Sequence, residues 1–115
     1  MKDRLDIEHL KTFINANDAL VVKLLTSFAN NVPPQLQELR KYVLDNNAHE
    51  SSEMAHKLKS PFLYFGMNEI AARLENIEHN VVSLDAGFVL QEVDSIISVA
   101  NDCTKQAHKE IERLS

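Results

Sequence analysis

The chain has 115 residues, a length that fits one compact domain and is too short for a complete ATP-binding kinase. Its 12 Lys and Arg residues against 17 Asp and Glu residues give a net charge of −5, which argues against nucleic acid and anionic membranes as general partners. The single cysteine excludes an internal disulfide and suggests a reducing compartment, so we expect the cytoplasm, and no apolar run is long enough to span a bilayer.

Apolar residues recur at helical spacing along nearly the whole chain, beginning with two predicted helices. A short helix over residues 6–15 starts with the capping residue Asp6. A long helix over residues 18–45 follows and contains Pro33 and Pro34, each of which lacks the backbone N–H that a helix interior uses. Because the apolar stripe stays in phase across both prolines, we favour one kinked helix over two separate helices. This stripe consists of Val21, Leu25, Phe28, Val32, Leu36, Leu39 and Val43.

A loop around residues 45–47 separates the second helix from a third, predicted over residues 51–65. The third helix ends at Gly66, because glycine is a natural helix terminator. Its buried stripe consists of Ala55, Leu58, Phe62 and Phe65.

Two further helices complete the chain, one over residues 68–81 with Asn68 as its cap and one over residues 85–113. The predicted stripe of the last helix consists of Ala86, Leu90, Val93, Ile97, Ala100, Thr104, Ala107, Ile111 and Leu114. Its alternating spacing of three and four suits nearly antiparallel packing. We therefore expect an all-α fold, an up-and-down antiparallel four-helix bundle with a short extra N-terminal helix, as a single domain over residues 1–115.

Five histidines raise the question of a metal site, because helical bundles hold di-iron centres with two Glu-x-x-His pairs and further glutamates. Glu53 and His56 form one such pair, but the residues three positions before His79 and His108 are not glutamates. His49 and His56 lie two helical turns apart, about 10 Å, which is too far to share one ion. We therefore expect no metal and no cofactor bound by this chain, and a metal or redox bundle is only the third alternative.

His56 differs from the other histidines in its position on the third helix. Helical geometry places it about 140° from the centre of the buried stripe, on the solvent side, with Lys59 one turn along and within about 60° around the axis. The same face carries Ser52, Ser60 and Leu63. Residues 55–65 contain two lysines and no acidic residue, which predicts a local positive patch. An exposed histidine beside a lysine is by itself a common surface feature.

Residues 55–66 read Ala-His-Lys-Leu-Lys-Ser-Pro-Phe-Leu-Tyr-Phe-Gly, and this segment resembles the histidine-containing phosphotransfer (HPt) family of phosphorelays. The family's pattern is Ala-His-x-Leu-Lys-Gly, followed by a glycine ten residues after the histidine. The pattern is matched by Ala55, His56, Leu58, Lys59 and Gly66. Leu74 and Glu75 resemble the Leu-Glu pair that closes the family's next helix. The length and the helical periodicity of the chain agree with the family's bundle.

Two positions depart from the family's pattern. Ser60 stands where glycine is usual, and because serine adds only a hydroxymethyl group we expect docking to survive with altered partner choice. Pro61 stands where a small residue is usual. It lacks the N–H that would bond to Lys57, so we expect a bend just after the active residue. These departures concern affinity and rate more than chemistry.

The resemblance implies that Nε2 of His56 accepts a phosphoryl group from an aspartate of a response-regulator receiver domain and passes it to another receiver. Lys59 would offer positive charge to the phosphoryl oxygens, and Mg²⁺ would belong to the partner receiver. The expected docking residues are Ser52, Lys57, Ser60, Leu63 and Gly66. We expect a monomer. Two alternatives stay open, a free-standing protein or a module of a hybrid sensor kinase, which includes the cytoplasmic end of a membrane-bound one. The direction of phosphate flow also stays open.

The leading alternative is a non-catalytic helical adaptor or inhibitor that binds receivers without being phosphorylated. Ser60 and Pro61 favour this alternative because they depart from the family's pattern beside the histidine. The presence of both His56 and Lys59 argues against it. Cys103 lies near the buried stripe of the last helix and is interpreted as a structural residue.

Overall fold

The computed structural model describes residues 4–115 and contains five α-helices and no strand within that range. The helices are α1 (Ile7–Ile14), α2 (Asp18–Leu44), α3 (Ala48–Tyr64), α4 (Asn68–Asn80) and α5 (Ala86–Leu114). The all-helical prediction is therefore confirmed for the described residues. The first three residues of the predicted domain lie outside them.

Polar side chains cap the N-termini of four helices, each accepting a hydrogen bond from the backbone N–H three residues further on. These caps are Asp6, Asn17, Asn47 and Asp85. Because Asn47 caps α3, this helix begins at Ala48, three residues before the predicted start. The prediction that Asn68 caps α4 is wrong. The cap position is Met67, a fully buried residue that anchors this helix end in the core without a side-chain hydrogen bond.

α2 runs without interruption through Pro33 and Pro34, so the prediction of one helix rather than two is confirmed. All seven residues of its predicted stripe are buried. α3 likewise continues through Pro61 to Tyr64. The packing of the apolar stripes thus outweighs the loss of backbone hydrogen bonds at the three prolines.

The core lies where α2 packs against α3 and α5, and α3 packs against α4. Phe28 of α2 meets Phe62 edge-on, with ring centroids 5.5 Å apart, which joins α2 to α3. The beginning of α3 lies beside the end of α4, because Ser52 Oγ donates a hydrogen bond of 2.7 Å to the Glu78 carbonyl oxygen. The seam between α3 and α4 is where His56 lies.

The buried face of α5 departs from the predicted stripe at every second position from Leu90 to Thr104, where the residue one place earlier in the chain is buried instead. Val89 and Ile96 are buried, whereas their neighbours Leu90 and Ile97 are half-buried and Ala86 is exposed. Periodicity cannot decide which of two adjacent apolar residues points inward, and this explains the error. The buried face consists of Val89, Val93, Ile96, Ala100, Cys103 and Ala107.

α1 covers the end of the molecule where α3 stops. The Asp6 N–H donates to the Phe65 carbonyl oxygen at 2.9 Å. Leu5 exchanges two hydrogen bonds with Gln106 of α5, at 2.8 Å and 2.9 Å. Gly66 ends α3 as predicted, in the left-handed conformation with φ of 73°. Among the described helices none is both long and apolar enough to cross a membrane.

Candidate functional site

His56 lies on the outer face of α3, and its side chain is 65% exposed. The opposite face of the same helix is anchored by Ala55, Leu58 and Phe62, each 0% exposed. Because the buried face fixes the rotation of the helix, it also fixes the direction in which the imidazole projects. His56 is therefore an accessible side chain on a helix whose orientation is fixed by its buried face.

A carboxylate from the neighbouring helix holds the imidazole. His56 Nδ1 lies 2.8 Å from Glu78 Oε2 of α4. The Lys59 ammonium beside Glu78 holds the pKa of that carboxyl below its usual range, so it is ionised at neutral pH and can only accept a hydrogen bond. The proton of this hydrogen bond must then reside on Nδ1, which leaves the lone pair of Nε2 free in the neutral ring.

Lys59 is also held by glutamates of α4. Its Nζ lies 2.7 Å from Glu78 Oε1 and 3.3 Å from Glu75 Oε1, and its side chain is only 17% exposed. The contact with Glu78, followed by that with Glu75, raises the pKa of Lys59 above its usual range. The prediction of a positive patch is therefore wrong at Lys59, whose charge is paired with carboxylates. Residues 55–65 contain no acid, but the helix packed against them supplies two carboxylates.

The predicted docking residues divide into two groups. Lys57, Ser60 and Leu63 are exposed around His56 and are available to a partner, with Leu63 39% exposed. Ser52 is half-buried, and its hydroxyl is engaged with the Glu78 carbonyl oxygen. Gly66 lies against α1, where an added Cβ would come within 3.1 Å of His9 Cγ.

A groove of about 190 Å³ runs between α2 and α3 on the side of His56 away from Glu78. From α3 it is lined by Lys57, Pro61 and Tyr64. Tyr64 is 37% exposed, and its ring lies 6.3 Å from that of Phe13, which is 57% exposed. The exposed histidine is thus bordered by charged α4 on one flank and by a partly apolar groove on the other.

In the part of the chain that the structure describes, no three His, Cys, Asp or Glu side chains are grouped to hold a metal ion. Beside His56 the available carboxylate belongs to Glu78, and the Lys59 ammonium already neutralises it. A second cation there would meet the lysine charge directly. The arrangement suits a nucleophile held by a carboxylate.

Comparison with known proteins finds a matching family model. The family model described as the Hpt domain matches residues 23–114, a range that contains α3, α4 and α5 and all but the first five residues of α2. No curated protein and no solved structure matches the chain.

Proposed function

Since this chain belongs to the Hpt domain family, we propose that it is a phosphorelay intermediate in which His56 accepts and donates the phosphoryl group. Domains of this family have a phosphotransfer role in two-component signalling and interact with receiver domains. The observation that carries the assignment to His56 is its exposed imidazole, whose Nδ1 proton is held by Glu78 at 2.8 Å.

In the uptake step, the Nε2 lone pair of His56 attacks the phosphorus of an aspartyl phosphate on the receiver. The bond between phosphorus and the aspartate oxygen breaks, and its electron pair stays on the aspartate, which becomes a carboxylate. No separate base is required, because Nε2 carries no proton when Nδ1 donates to Glu78. The donation step reverses these events: a second receiver's aspartate attacks phosphorus and the N–P electron pair returns to Nε2.

Glu78 supports this chemistry by its charge as well as its position. Bond formation at Nε2 withdraws an electron pair from the ring, so positive charge develops on the imidazole while Nδ1 keeps its proton. A carboxylate 2.8 Å from Nδ1 stabilises that charge. Glu78 is therefore a positioning residue whose effect on the reaction acts through His56.

Lys59 is proposed to balance the charge of the phosphoryl oxygens once they arrive at Nε2. One turn of α3 separates the two residues, which allows the ammonium to move toward the phosphoryl group from its contacts with Glu75 and Glu78. Mg²⁺ would be supplied by the receiver, where it neutralises the phosphoryl oxygens during transfer. This chain's own contribution is the nucleophile and the charges around it.

The receiver is proposed to dock over the exposed part of α3 around His56. Lys57 and Ser60 offer polar contacts, and the exposed Leu63 offers an apolar one. Such a surface fits a small, transient interface. The protein would act as a monomer in the cytoplasm.

The finer architecture that we propose for this scaffold is an up-and-down antiparallel four-helix bundle. It is supported by contacts that join the start of one helix to the end of another. Arg40, near the end of α2, pairs with Asp94, near the start of α5, at 2.7 Å. Ser52 and Glu78 make the corresponding contact between α3 and α4.

The proposed function is tested by incubating the chain with a receiver labelled on its aspartate. We expect an acid-labile, alkali-stable phosphoryl label on the wild-type chain and none on His56→Gln. His49→Gln is the matched control, because His49 is also exposed on α3, and it should take up label like the wild type. Label on His56→Gln would show that the assignment is wrong.

The adaptor alternative is favoured by the engagement of Lys59 with two carboxylates, which leaves less free positive charge beside His56. It predicts that the wild-type chain binds the receiver and takes up no label under the same conditions. Measuring binding and label in one experiment therefore separates the two functions.

A further inference from the structure

Lys59, Glu75 and Glu78 form a cluster, called here the lysine–glutamate cluster, in which one ammonium faces two carboxylates. Lys59 Nζ lies 2.7 Å from Glu78 Oε1 and 3.3 Å from Glu75 Oε1. The cluster therefore carries one net negative charge next to the proposed nucleophile. A phosphoryl group on His56 would add more negative charge at the same place.

The two glutamates differ in what they contact. Glu78 is 15% exposed and contacts both His56 and Lys59, so it also positions the imidazole. Glu75 is 59% exposed, and its ion pair within residues 4–115 is with Lys59. Positioning of the ring does not explain the Glu75 contact. The contact does hold the cation that the phosphoryl group needs.

We propose that Glu75 competes with the phosphoryl group of His56 for the Lys59 ammonium and thereby shifts the phosphoryl equilibrium toward the receiver aspartate. This inference rests on the proposed function of His56. While Lys59 is bound to Glu75, the phosphoryl oxygens lack a full counter-charge, so the N–P bond is easier to transfer. When the aspartate oxygen attacks phosphorus and the electron pair returns to Nε2, Lys59 returns to Glu75. Glu75 thus makes the chain a better donor than acceptor.

The test measures the equilibrium ratio of phosphohistidine to phosphoaspartate between the chain and one purified receiver with Mg²⁺. Glu75→Gln keeps the size of the side chain and removes its charge. We expect it to raise the ratio by about two- to fivefold, the range typical of one exposed ion pair. Glu75→Asp, which retains the carboxylate, should stay close to the wild-type ratio.

Glu69→Gln is the matched control, since it makes the same change in net charge at an exposed position in the first turn of α4. Helical geometry puts residue 69 about 13 Å along the axis from Glu78, the α4 residue that contacts His56, and on a different face from residue 75. Its effect on the ratio should be small, because screening weakens exposed charges beyond about 10 Å.

A double substitution shows whether Glu75 acts through Lys59. In a Lys59→Gln background, Glu75→Gln should change the ratio no more than Glu69→Gln does. An unchanged or lower ratio in Glu75→Gln alone, or an equal rise without Lys59, would overturn the inference while the label on His56 still supported the proposed function. A wild-type chain that takes up no label on His56 would overturn both.

Discussion

At the scale of single residues, Glu78 connects the two side chains on which the phosphotransfer proposal depends. Its Oε2 lies 2.8 Å from His56 Nδ1, and its Oε1 lies 2.7 Å from Lys59 Nζ. One carboxylate therefore fixes the proton of the imidazole and restrains the nearby cation. The neutral ring presents Nε2 as a nucleophile because Nδ1 already has an acceptor.

In Glu78→Ala the proton of the neutral imidazole should no longer be held on Nδ1, and phosphoryl uptake should become slower. A hydrogen bond to a charged group is lost, so we expect the rate of label uptake to fall about tenfold. The nitrogen chemical shifts of the His56 ring, measured by NMR at a pH where the ring is neutral, report which nitrogen carries the proton. They should change from the Nδ1–H form toward a mixture of both forms.

Glu75→Ala is the control for this prediction, because Glu75 contacts Lys59 at 3.3 Å and belongs to the same helix. The ring nitrogens of His56 should keep their wild-type shifts in this variant. If Glu78→Ala also kept the Nδ1–H form, the carboxylate would not be what positions the proton.

The exposure of His56 could be predicted from the sequence, whereas its contact with Glu78 could not. The motif around His56 lies within one continuous segment, and helical geometry is enough to put the histidine on the solvent side. Glu78 is 22 residues away and becomes a neighbour only when α3 packs on α4. The prediction of a positive patch is wrong at Lys59 for the same reason, because the carboxylates of Glu75 and Glu78 lie on the neighbouring helix and not in residues 55–65.

At the scale of the helices, the buried face of a helix can be predicted where polar residues separate one core position from the next. In α2 polar residues lie between most of the core positions, and the predicted stripe is the buried one. In α5 apolar neighbours such as Val89 and Leu90 compete, and only packing against α2 decides that Val89 is inside. α3 begins three residues before its predicted start because Asn47, the last residue of the predicted loop, caps the helix.

Gly66 provides a test of how α3 ends. Its φ of 73° is costly for a residue with a side chain, and an added Cβ would meet His9 Cγ at 3.1 Å. Gly66→Ala should lower the free energy of unfolding by about 1–2 kcal/mol, measured by urea denaturation. We expect label uptake at His56 to remain, because the change lies beyond the end of α3, which is itself about 12 Å from His56 along the helix axis.

Gly87→Ala serves as the comparison for Gly66→Ala. Gly87 lies in the first turn of α5, and its added Cβ would meet the flexible side chain of Asp85 at 3.0 Å. Its effect on stability should stay within about 0.5 kcal/mol, because gained helix propensity offsets crowding of the cap. Equal losses for both glycines would contradict the role given to the left-handed conformation of Gly66.

At the scale of the whole molecule, the proposed phosphotransfer site and the N-terminal helix are held by different contacts. The family match begins at residue 23, so α1 and the first turn of α2 lie outside it. α1 is nevertheless tied to the rest of the described chain at Phe65 and Gln106. His56 is oriented by α3 and α4, and none of its described contacts involves α1. α1 therefore covers one end of the molecule, and the proposed site around His56 is built separately by α3 and α4.

Gln106→Ala should loosen α1 while leaving the chemistry at His56 intact. The substitution removes both side-chain hydrogen bonds to Leu5, at 2.8 Å and 2.9 Å, so we expect a loss of about 1–2 kcal/mol in the free energy of unfolding. Hydrogen exchange of the α1 amides should become faster, and the rate of label uptake should remain at the wild-type value. Gln91→Ala, at an exposed position of the same helix, should leave α1 exchange unchanged. Slower label uptake in Gln106→Ala would show that α1 supports the site as well as the fold.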